Sequence, residues 1–126
     1  MVKAVLVLAG GALGALTRYG VAHFSAKTHP SIFPFGTLYV NLIGCLLIGI
    51  VFGLNELRGV NYQFRLFFTT GFLGALTTFS AYSLETISHA NNGETSLAIA
   101  NIAISNIGGL LCVKLGSMLA RFICAH

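Results

Sequence analysis

Apolar residues run through this chain in four long stretches, which short polar segments separate. The stretches cover approximately residues 4–26, 35–55, 65–88 and 95–121. Each is close to the roughly 20 residues that a membrane-spanning helix needs. The segment after the first stretch contains Pro30 and Pro34, which cannot continue a helix. The pattern predicts an all-α membrane protein in which residues 1–126 form a single domain of four transmembrane helices.

The composition strengthens this prediction. Charged residues make up 8% of the chain, whereas a soluble domain carries about 25%. The net charge is +4, but the basic residues are scattered and form no patch that could follow a phosphate backbone. The three cysteines and four histidines show no metal-ligand or redox spacing. A water-soluble enzyme, a disordered tail and a nucleic-acid-binding domain are therefore poor candidates, and we expect no nucleic acid partner.

Basic residues are unevenly distributed between the two sides of the predicted bundle. Short loops make consecutive helices antiparallel, so both termini lie on one side. That side carries four basic residues: Lys3, Arg58, Arg65 and Arg121. The opposite side carries Lys27, with Arg18 close to it. Because positive charge favours the cytoplasmic side of a membrane, this modest excess predicts cytoplasmic termini.

Pairs of small residues recur at a spacing that lets helix backbones touch in lipid. The pairs are Gly10/Gly14, Gly49/Gly53, Gly71/Ala75 and Ser105/Gly109. A chain of four spans exposes most of its surface to lipid and has little room for an internal pathway. We therefore expect close helix packing within an oligomer.

The third stretch holds a dense polar cluster between Gly71 and Glu85, with four hydroxyl residues in its middle. Such hydroxyls can bond to the backbone carbonyl one turn earlier and merely bend a helix. Sequence rich in glycine and threonine at membrane depth also marks broken helices, whose freed carbonyls line water or hold an ion. The density of the cluster favours a third helix that is broken in mid-membrane.

Two aromatic residues in this cluster, Phe79 and Tyr82, project from one helix face, and Ser80 and Ser83 repeat their spacing. Such a pair usually serves packing. The edge of an aromatic ring is also electropositive, so rings turned edge-on can stabilise an anion weakly.

Amides and hydroxyls also interrupt the second and fourth stretches. Thr37 and Asn41 lie one turn apart, and an asparagine in lipid either joins helices or offers N–H donors to a passing anion. Asn101 and Ser105 begin a small or polar stripe that continues through Gly109. That stripe suits either a narrow path or close packing.

Two ionisable residues complete the polar inventory. Arg18 lies about 22 Å along the first span, where it either snorkels to the interface or places positive charge in a vestibule. Glu85 lies on the same side, and a wet helix terminus is its simplest interpretation. N–H and O–H donors, ring edges and one arginine together suit a small anion better than a cation or a proton relay.

These residues resemble the Fluc/CrcB family of fluoride channels, and the resemblance covers the whole chain. The first span carries Gly11-x-x-Gly14-Ala15-x-x-Arg18-Tyr19, and the second carries Gly36-Thr37-Leu38-x-Val40-Asn41. The third carries Gly71-x-x-Gly74-x-x-Thr77-Thr78-Phe79-Ser80-x-x-Ser83-x-Glu85. A single GxxG is weak, but the third string together with the Asn41 motif in a four-span chain is specific.

The resemblance implies a passive channel, not an enzyme, that exports cytoplasmic fluoride across a bacterial cytoplasmic membrane. It implies a homodimer of antiparallel subunits, inserted in both orientations, with two pores. A structural sodium ion would lie at the dimer centre, bound by the main-chain carbonyls of Gly74 and Thr77 from both subunits. Arg18 would stand in the vestibule and Glu85 at the end of the polar track. The expected pore residues are Asn41, Phe79, Tyr82, Ser80, Ser83, Thr37, Ser105 and Asn101.

Two features depart from the family pattern, and rival functions stay open. Tyr82 stands where phenylalanine is common, and the charge excess also allows one oriented member of a heterodimer. A small four-helix proton-coupled multidrug transporter would need a buried carboxylate, usually in its first helix, where this chain has Arg18. A non-conducting membrane assembly subunit would use every polar residue as packing glue. An intramembrane enzyme is the weakest candidate, because no nucleophile–base pair is visible.

Overall fold

The computed structural model describes residues 1–28 and 31–125, so the helix break predicted at Pro30 lies outside the described residues. Within these ranges the secondary structure is helical, without strands, which confirms the all-α prediction there. The helices are α1 (Val2–Thr28), α2 (Phe35–Arg58), α3 (Tyr62–Phe64), a π-helical segment (Arg65–Leu73), α4 (Gly74–Leu76), α5 (Phe79–Asn91) and α6 (Thr95–Ala125).

Three of these helices, α1, α2 and α6, are long and apolar enough to cross a membrane. They contain the first, second and fourth predicted stretches and continue a few residues beyond them. Helix α6 has 31 residues and is about 46 Å long, which exceeds the roughly 30 Å hydrocarbon core of a bilayer. Its exposed Lys114 lies a little past the middle of the helix, at the level where Gly49 of α2 packs against Val113.

The third stretch is built from several short pieces. A π-helical segment of nine residues is flanked by single α-turns at α3 and α4. Thr77 and Thr78 then have extended backbones, and the helix resumes at Phe79. We refer to Thr77 and Thr78 as the interruption. A π-helix is uncommon and often occurs at functional sites.

Contacts at the bundle end place both termini together. Lys3 Nζ lies 5.4 Å from the centroid of the Tyr62 ring. At the other side of the same end, Arg121 and Glu56 approach to 3.4 Å. The predicted alternation of chain direction therefore agrees with the described helices.

Helix packing creates the core beside the interruption. Helix α2 packs along α6, and α1 packs along the π-helical segment. Val40, Leu73 and Leu76 are buried where these layers meet, and Phe68 and Phe72 pack against them. The outer surface keeps many large apolar side chains exposed, as expected of a chain that lies in lipid or against a partner.

Two of the predicted glycine pairs are used for packing within the chain. A Cβ atom at Gly10 or Gly14 would overlap the backbone of the π-helical segment, which lies directly against α1. A Cβ atom at Gly49 would overlap the carbonyl of Val113 on α6. These glycines therefore allow backbone contact between neighbouring helices of one chain.

We predict that Gly10→Ala destabilises the protein by about 1–3 kcal/mol through overpacking. Gly11→Ala is the matched control, because the nearest atom to its added Cβ is the Gly71 carbonyl oxygen at 4.0 Å, and alanine favours a helix over glycine by about 1 kcal/mol. Thermal unfolding in detergent micelles measures both. Equal or higher stability of Gly10→Ala relative to Gly11→Ala would contradict the packing account.

Candidate functional site

The Asn41 side chain holds the backbone of the interruption. Its Oδ1 accepts a hydrogen bond from the Thr78 N–H at 2.8 Å, and its Nδ2 donates to the Thr78 carbonyl at 3.1 Å. A polar peptide group in an apolar environment is costly unless it is bonded, and here one amide satisfies both groups of one residue. Asn41 therefore joins α2 to the interruption, and its amide retains one further N–H.

The interruption releases backbone carbonyls from helical hydrogen bonding, among them those of Gly74 and Thr77. In a continuous α-helix the Thr78 N–H would bond to the Gly74 carbonyl, and the Ala81 N–H would bond to the Thr77 carbonyl. Here the Thr78 N–H bonds to Asn41, and the Ala81 N–H bonds to Thr78 Oγ1 at 3.2 Å. The carbonyls of Gly74 and Thr77 have thus lost their helical donors. Unwound carbonyls of this kind are suitable ligands for a sodium ion.

An open groove of about 350 Å³ lies beside the interruption. Its walls are mainly apolar, and the Phe79 ring at its edge is 78% exposed. The groove brings together several predicted site residues and their neighbours: Asn41, Gly44, Cys45, Ile48, Leu73, Gly74, Thr77, Thr78 and Phe79.

A second groove, of about 550 Å³, lies on the other side of Thr78 and is more polar. It collects Arg18, Thr37, Ser80 and Glu85 from three helices. The Thr37 hydroxyl donates to Glu85 Oε1 at 2.5 Å. Glu85 Oε2 is buried and has no hydrogen-bond partner among residues 1–28 and 31–125. The groove therefore contains an arginine and a partly unsatisfied carboxylate.

The predicted residues of α6 lie elsewhere, in a network between α5 and α6. Asn101 is buried, and its Nδ2 donates to Thr86 Oγ1 at 2.9 Å. The Thr86 hydroxyl donates to the Tyr82 carbonyl, and the Ser105 hydroxyl donates to Asn101 Oδ1 at 3.3 Å. Neither Asn101 nor Ser105 lines the two grooves around Thr78. Their bonds join the two helices.

The aromatic pair Phe79 and Tyr82 lies at the start of α5, together with Ser80 and Ser83. The ring centroids of Phe79 and Tyr82 are 5.4 Å apart, and their planes are tilted by 46°. Ser80 and Thr78 share a hydrogen bond between their hydroxyls at 3.1 Å. The Ser83 hydroxyl donates to the Phe79 carbonyl at 2.9 Å, one turn earlier.

Sequence reasoning missed the roles of Thr78, Thr86 and Asn106. Thr78 belongs to the polar cluster, but its backbone contact with Asn41 could not be read from spacing. Asn106 lies beside the predicted stripe of α6, and its amide donates to the Tyr82 hydroxyl at 3.0 Å. An exposed amide in an apolar stretch was the signal that could have identified it.

Comparison with known proteins now identifies the family. The family model described as CrcB-like protein, Camphor Resistance (CrcB), matches residues 5–117. The chain belongs to the CrcB family. The resemblance recognised from the motifs is thereby confirmed, and together with the three long apolar helices it shows that this CrcB chain is a membrane protein.

Curated relatives match this CrcB chain over nearly its whole length, and each carries the name fluoride-specific ion channel FluC. The protein of Clostridium perfringens (strain 13 / Type A) is 44% identical over 98% of this chain and 97% of its own. That of Salinibacter ruber is 40% identical over 98% of this chain and 92% of its own. That of Parabacteroides distasonis is 39% identical over 98% of this chain and 96% of its own.

We predict that Asn41→Leu destabilises the interruption, because it removes the amide that binds the Thr78 backbone. Leucine leaves both peptide groups of Thr78 without their partner, at about 1–3 kcal/mol for each unsatisfied group. We therefore expect lower thermal stability and faster hydrogen exchange of the Thr78 amide, measured by NMR in micelles.

Asn55→Leu is the matched control, because Asn55 is an asparagine of α2 that bonds to the Val60 backbone beyond the helix. It should leave the exchange of Thr78 unchanged. Wild-type exchange at Thr78 in Asn41→Leu would show that Asn41 does not hold the interruption.

Proposed function

We propose that this CrcB chain is a passive, fluoride-selective channel that exports cytoplasmic fluoride and is not an enzyme. The observation that carries the proposal is the Asn41–Thr78 contact, which places uncharged donors and freed carbonyls beside an exposed aromatic ring. The name shared by the relatives, fluoride-specific ion channel FluC, supports the same ion.

The proposed third crossing, residues 65–88, has the interruption near its middle. Residues 65–76 and 79–88 would each extend about 15–18 Å as helix, roughly half of the hydrocarbon core. The break would therefore lie in mid-membrane, where non-helical backbone is tolerated only if protein or water satisfies it. The bonds from Asn41 meet that requirement on one side.

The proposed pore replaces the water around fluoride with neutral contacts. The remaining N–H of Asn41 and the ring edges of Phe79 and Tyr82 would hold the dehydrated ion, with Ser80 and Ser83 following along α5. A conducting site must bind the ion well enough to admit it and weakly enough to release it. Neutral donors and ring edges suit that balance better than a lysine or arginine at the constriction.

The proposed vestibule is the groove that contains Arg18, Thr37 and Glu85. Arg18 would gather anions there, and the Thr37–Glu85 pair would end the polar track. Asn101 and Ser105 stay predicted pore residues. Their hydrogen bonds to each other and to Thr86 give them a structural task as well.

A dimer would complete this site. Phe79 is 78% exposed beside an open groove, so a second subunit is needed to enclose a path there. We propose an antiparallel, dual-topology homodimer with two pores in the bacterial cytoplasmic membrane. The four basic residues at the terminal end, Lys3, Arg58, Arg65 and Arg121, also suit one oriented member of a heterodimer.

We further propose that the carbonyls of Gly74 and Thr77 from both subunits hold a structural sodium ion at the dimer centre. These carbonyls are available to bind a cation because their helical N–H donors bond elsewhere. The ion would offset the negative ends of the carbonyl dipoles that converge there. Replacing sodium by N-methylglucamine should then lower the thermal stability of the dimer, and unchanged stability in both salts would contradict the site.

Transport needs no energy source in this proposal. Hydrogen fluoride enters cells as a neutral weak acid and dissociates in the near-neutral cytoplasm. A membrane that is negative inside then drives the anion outward with about 2.3 kcal/mol per charge at 100 mV. A passive pore is sufficient.

A proton-coupled transporter is the second candidate, and the buried Oε2 of Glu85 favours it, because such transporters need a carboxylate in the membrane. Flux that requires a pH gradient would support this candidate. Flux that follows the fluoride gradient alone supports the channel.

The proposed function predicts that purified protein in liposomes releases fluoride, but not chloride, as measured with ion-selective electrodes. Phe79→Ile should abolish the flux because it removes a ring edge, and Asn41→Asp should abolish it because a negative charge repels the anion. Tyr82→Phe should stay active with a changed rate.

Phe24→Ile is the matched control, because the Phe24 ring on α1 is also largely exposed. Light scattering should show the same oligomer for every variant. Normal fluoride flux through Phe79→Ile and Asn41→Asp would reject these residue roles, and a wild-type protein that releases no fluoride would reject the function.

A further inference from the structure

The Tyr82 hydroxyl is bound by an amide from the neighbouring helix. Asn106 Nδ2 on α6 lies 3.0 Å from the Tyr82 hydroxyl oxygen and 2.8 Å from the Ile102 carbonyl oxygen. The second bond returns to the helix of Asn106 one turn earlier. The Asn106 amide is therefore anchored to α6 while it reaches the tip of a ring on α5.

These distances determine which atom donates. A carbonyl oxygen can only accept, so the Asn106 atom beside Ile102 must be the nitrogen. The two hydrogens of that nitrogen match its two acceptors. The Tyr82 oxygen consequently accepts from Asn106 and keeps its own proton for another partner.

Other predicted pore hydroxyls already donate their hydrogen bonds to acceptors within the protein. Thr37 donates to Glu85, Ser83 donates to the Phe79 carbonyl, and Ser105 donates to Asn101. In the part of the chain that the structure describes, by contrast, the hydrogen bonds leave the Tyr82 proton without an acceptor. The Tyr82 hydroxyl can therefore still donate one hydrogen bond, and the Tyr82 ring lies next to the exposed Phe79 ring.

We infer that Asn106 is a positioning residue that fixes the Tyr82 ring and leaves its O–H as a hydrogen-bond donor to the permeating anion. This inference rests on the proposed fluoride channel and deepens it, since Tyr82 would act through its hydroxyl as well as its ring edge. An oxygen that accepts a hydrogen bond is polarised and becomes a stronger donor. Asn106 therefore both orients and strengthens the donor.

The same contact bears on selectivity. Hydrogen bonds to a charged acceptor are shorter and stronger than those between neutral groups. Fluoride concentrates its charge in a smaller ion than chloride and gains more from one well-placed O–H. Asn106 would therefore raise discrimination for fluoride without touching the ion.

Tyrosine labelled with ¹³C at Cζ tests the hydroxyl directly, because that carbon responds to hydrogen bonding at the attached oxygen. The chain has four tyrosines, and the signal lost in Tyr82→Phe identifies Tyr82. In the purified wild-type protein, sodium fluoride should shift this signal, whereas sodium chloride should not. In Asn106→Leu, the fluoride concentration for half of the shift should rise by about tenfold, as expected for a weakened charge-assisted bond.

Thr17→Val is the matched control. The Thr17 hydroxyl is exposed and bonds to the Leu13 carbonyl one turn earlier, much as Asn106 bonds to Ile102, but it reaches no tyrosine. In Thr17→Val, the fluoride concentration for half of the Tyr82 shift should equal that of the wild type. A Tyr82 signal that does not shift when fluoride is added would overturn the inference, even if the wild-type protein conducts fluoride in liposomes.

A double-mutant flux measurement separates positioning from packing. Asn106→Leu should reduce the fluoride-to-chloride flux ratio in the wild-type background and have no further effect in the Tyr82→Phe background. An equal effect in both backgrounds would mean that Asn106 acts through packing alone and would overturn the inference. Absence of wild-type flux would instead reject the proposed function.

Discussion

A peptide group that leaves a helix inside an apolar environment must find a new hydrogen-bond partner. In this chain one amide, that of Asn41, supplies both partners for Thr78. The bond ties α2 to the interruption and stabilises two extended residues that would otherwise return to a helix. The Gly74 carbonyl thereby loses its helical donor, and the bond from the Ala81 N–H to Thr78 Oγ1 does the same for the Thr77 carbonyl. The site therefore exists because a side chain on one helix replaces the backbone bonds of another.

The two grooves on either side of Thr78 have different chemistry. One contains the exposed Phe79 ring among mainly apolar walls, and the other contains Arg18 and Glu85. In the proposed channel, an anion that moves from the charged groove toward the apolar one would exchange water for amide, hydroxyl and ring-edge contacts. The hydroxyls mostly donate to protein acceptors, so the few unused donors would determine which ion the proposed passage can hold. This limitation gives Tyr82 and its partner Asn106 a larger role than spacing alone suggests.

Much of the fold, but less of the site, could be predicted from the sequence. Hydropathy located α1, α2 and α6, and the rarity of an amide in an apolar stretch singled out Asn41. The π-helical segment was missed because apolar residues such as those of 65–73 fit several helical periods equally well. The stripe through Asn101 and Ser105 was seen, but spacing does not show which helix faces it, and these residues bond across to α5. Asn106 was missed because a rigid helical template placed it outside that stripe.

The zero-current voltage across a planar bilayer tests the central claim, that uncharged donors at an interrupted helix pass fluoride and reject other anions. With chloride equal on both sides and a tenfold fluoride gradient, the account predicts a voltage near the fluoride equilibrium value, about 59 mV for a monovalent ion. A voltage near zero, or one that follows an imposed chloride gradient, would contradict it.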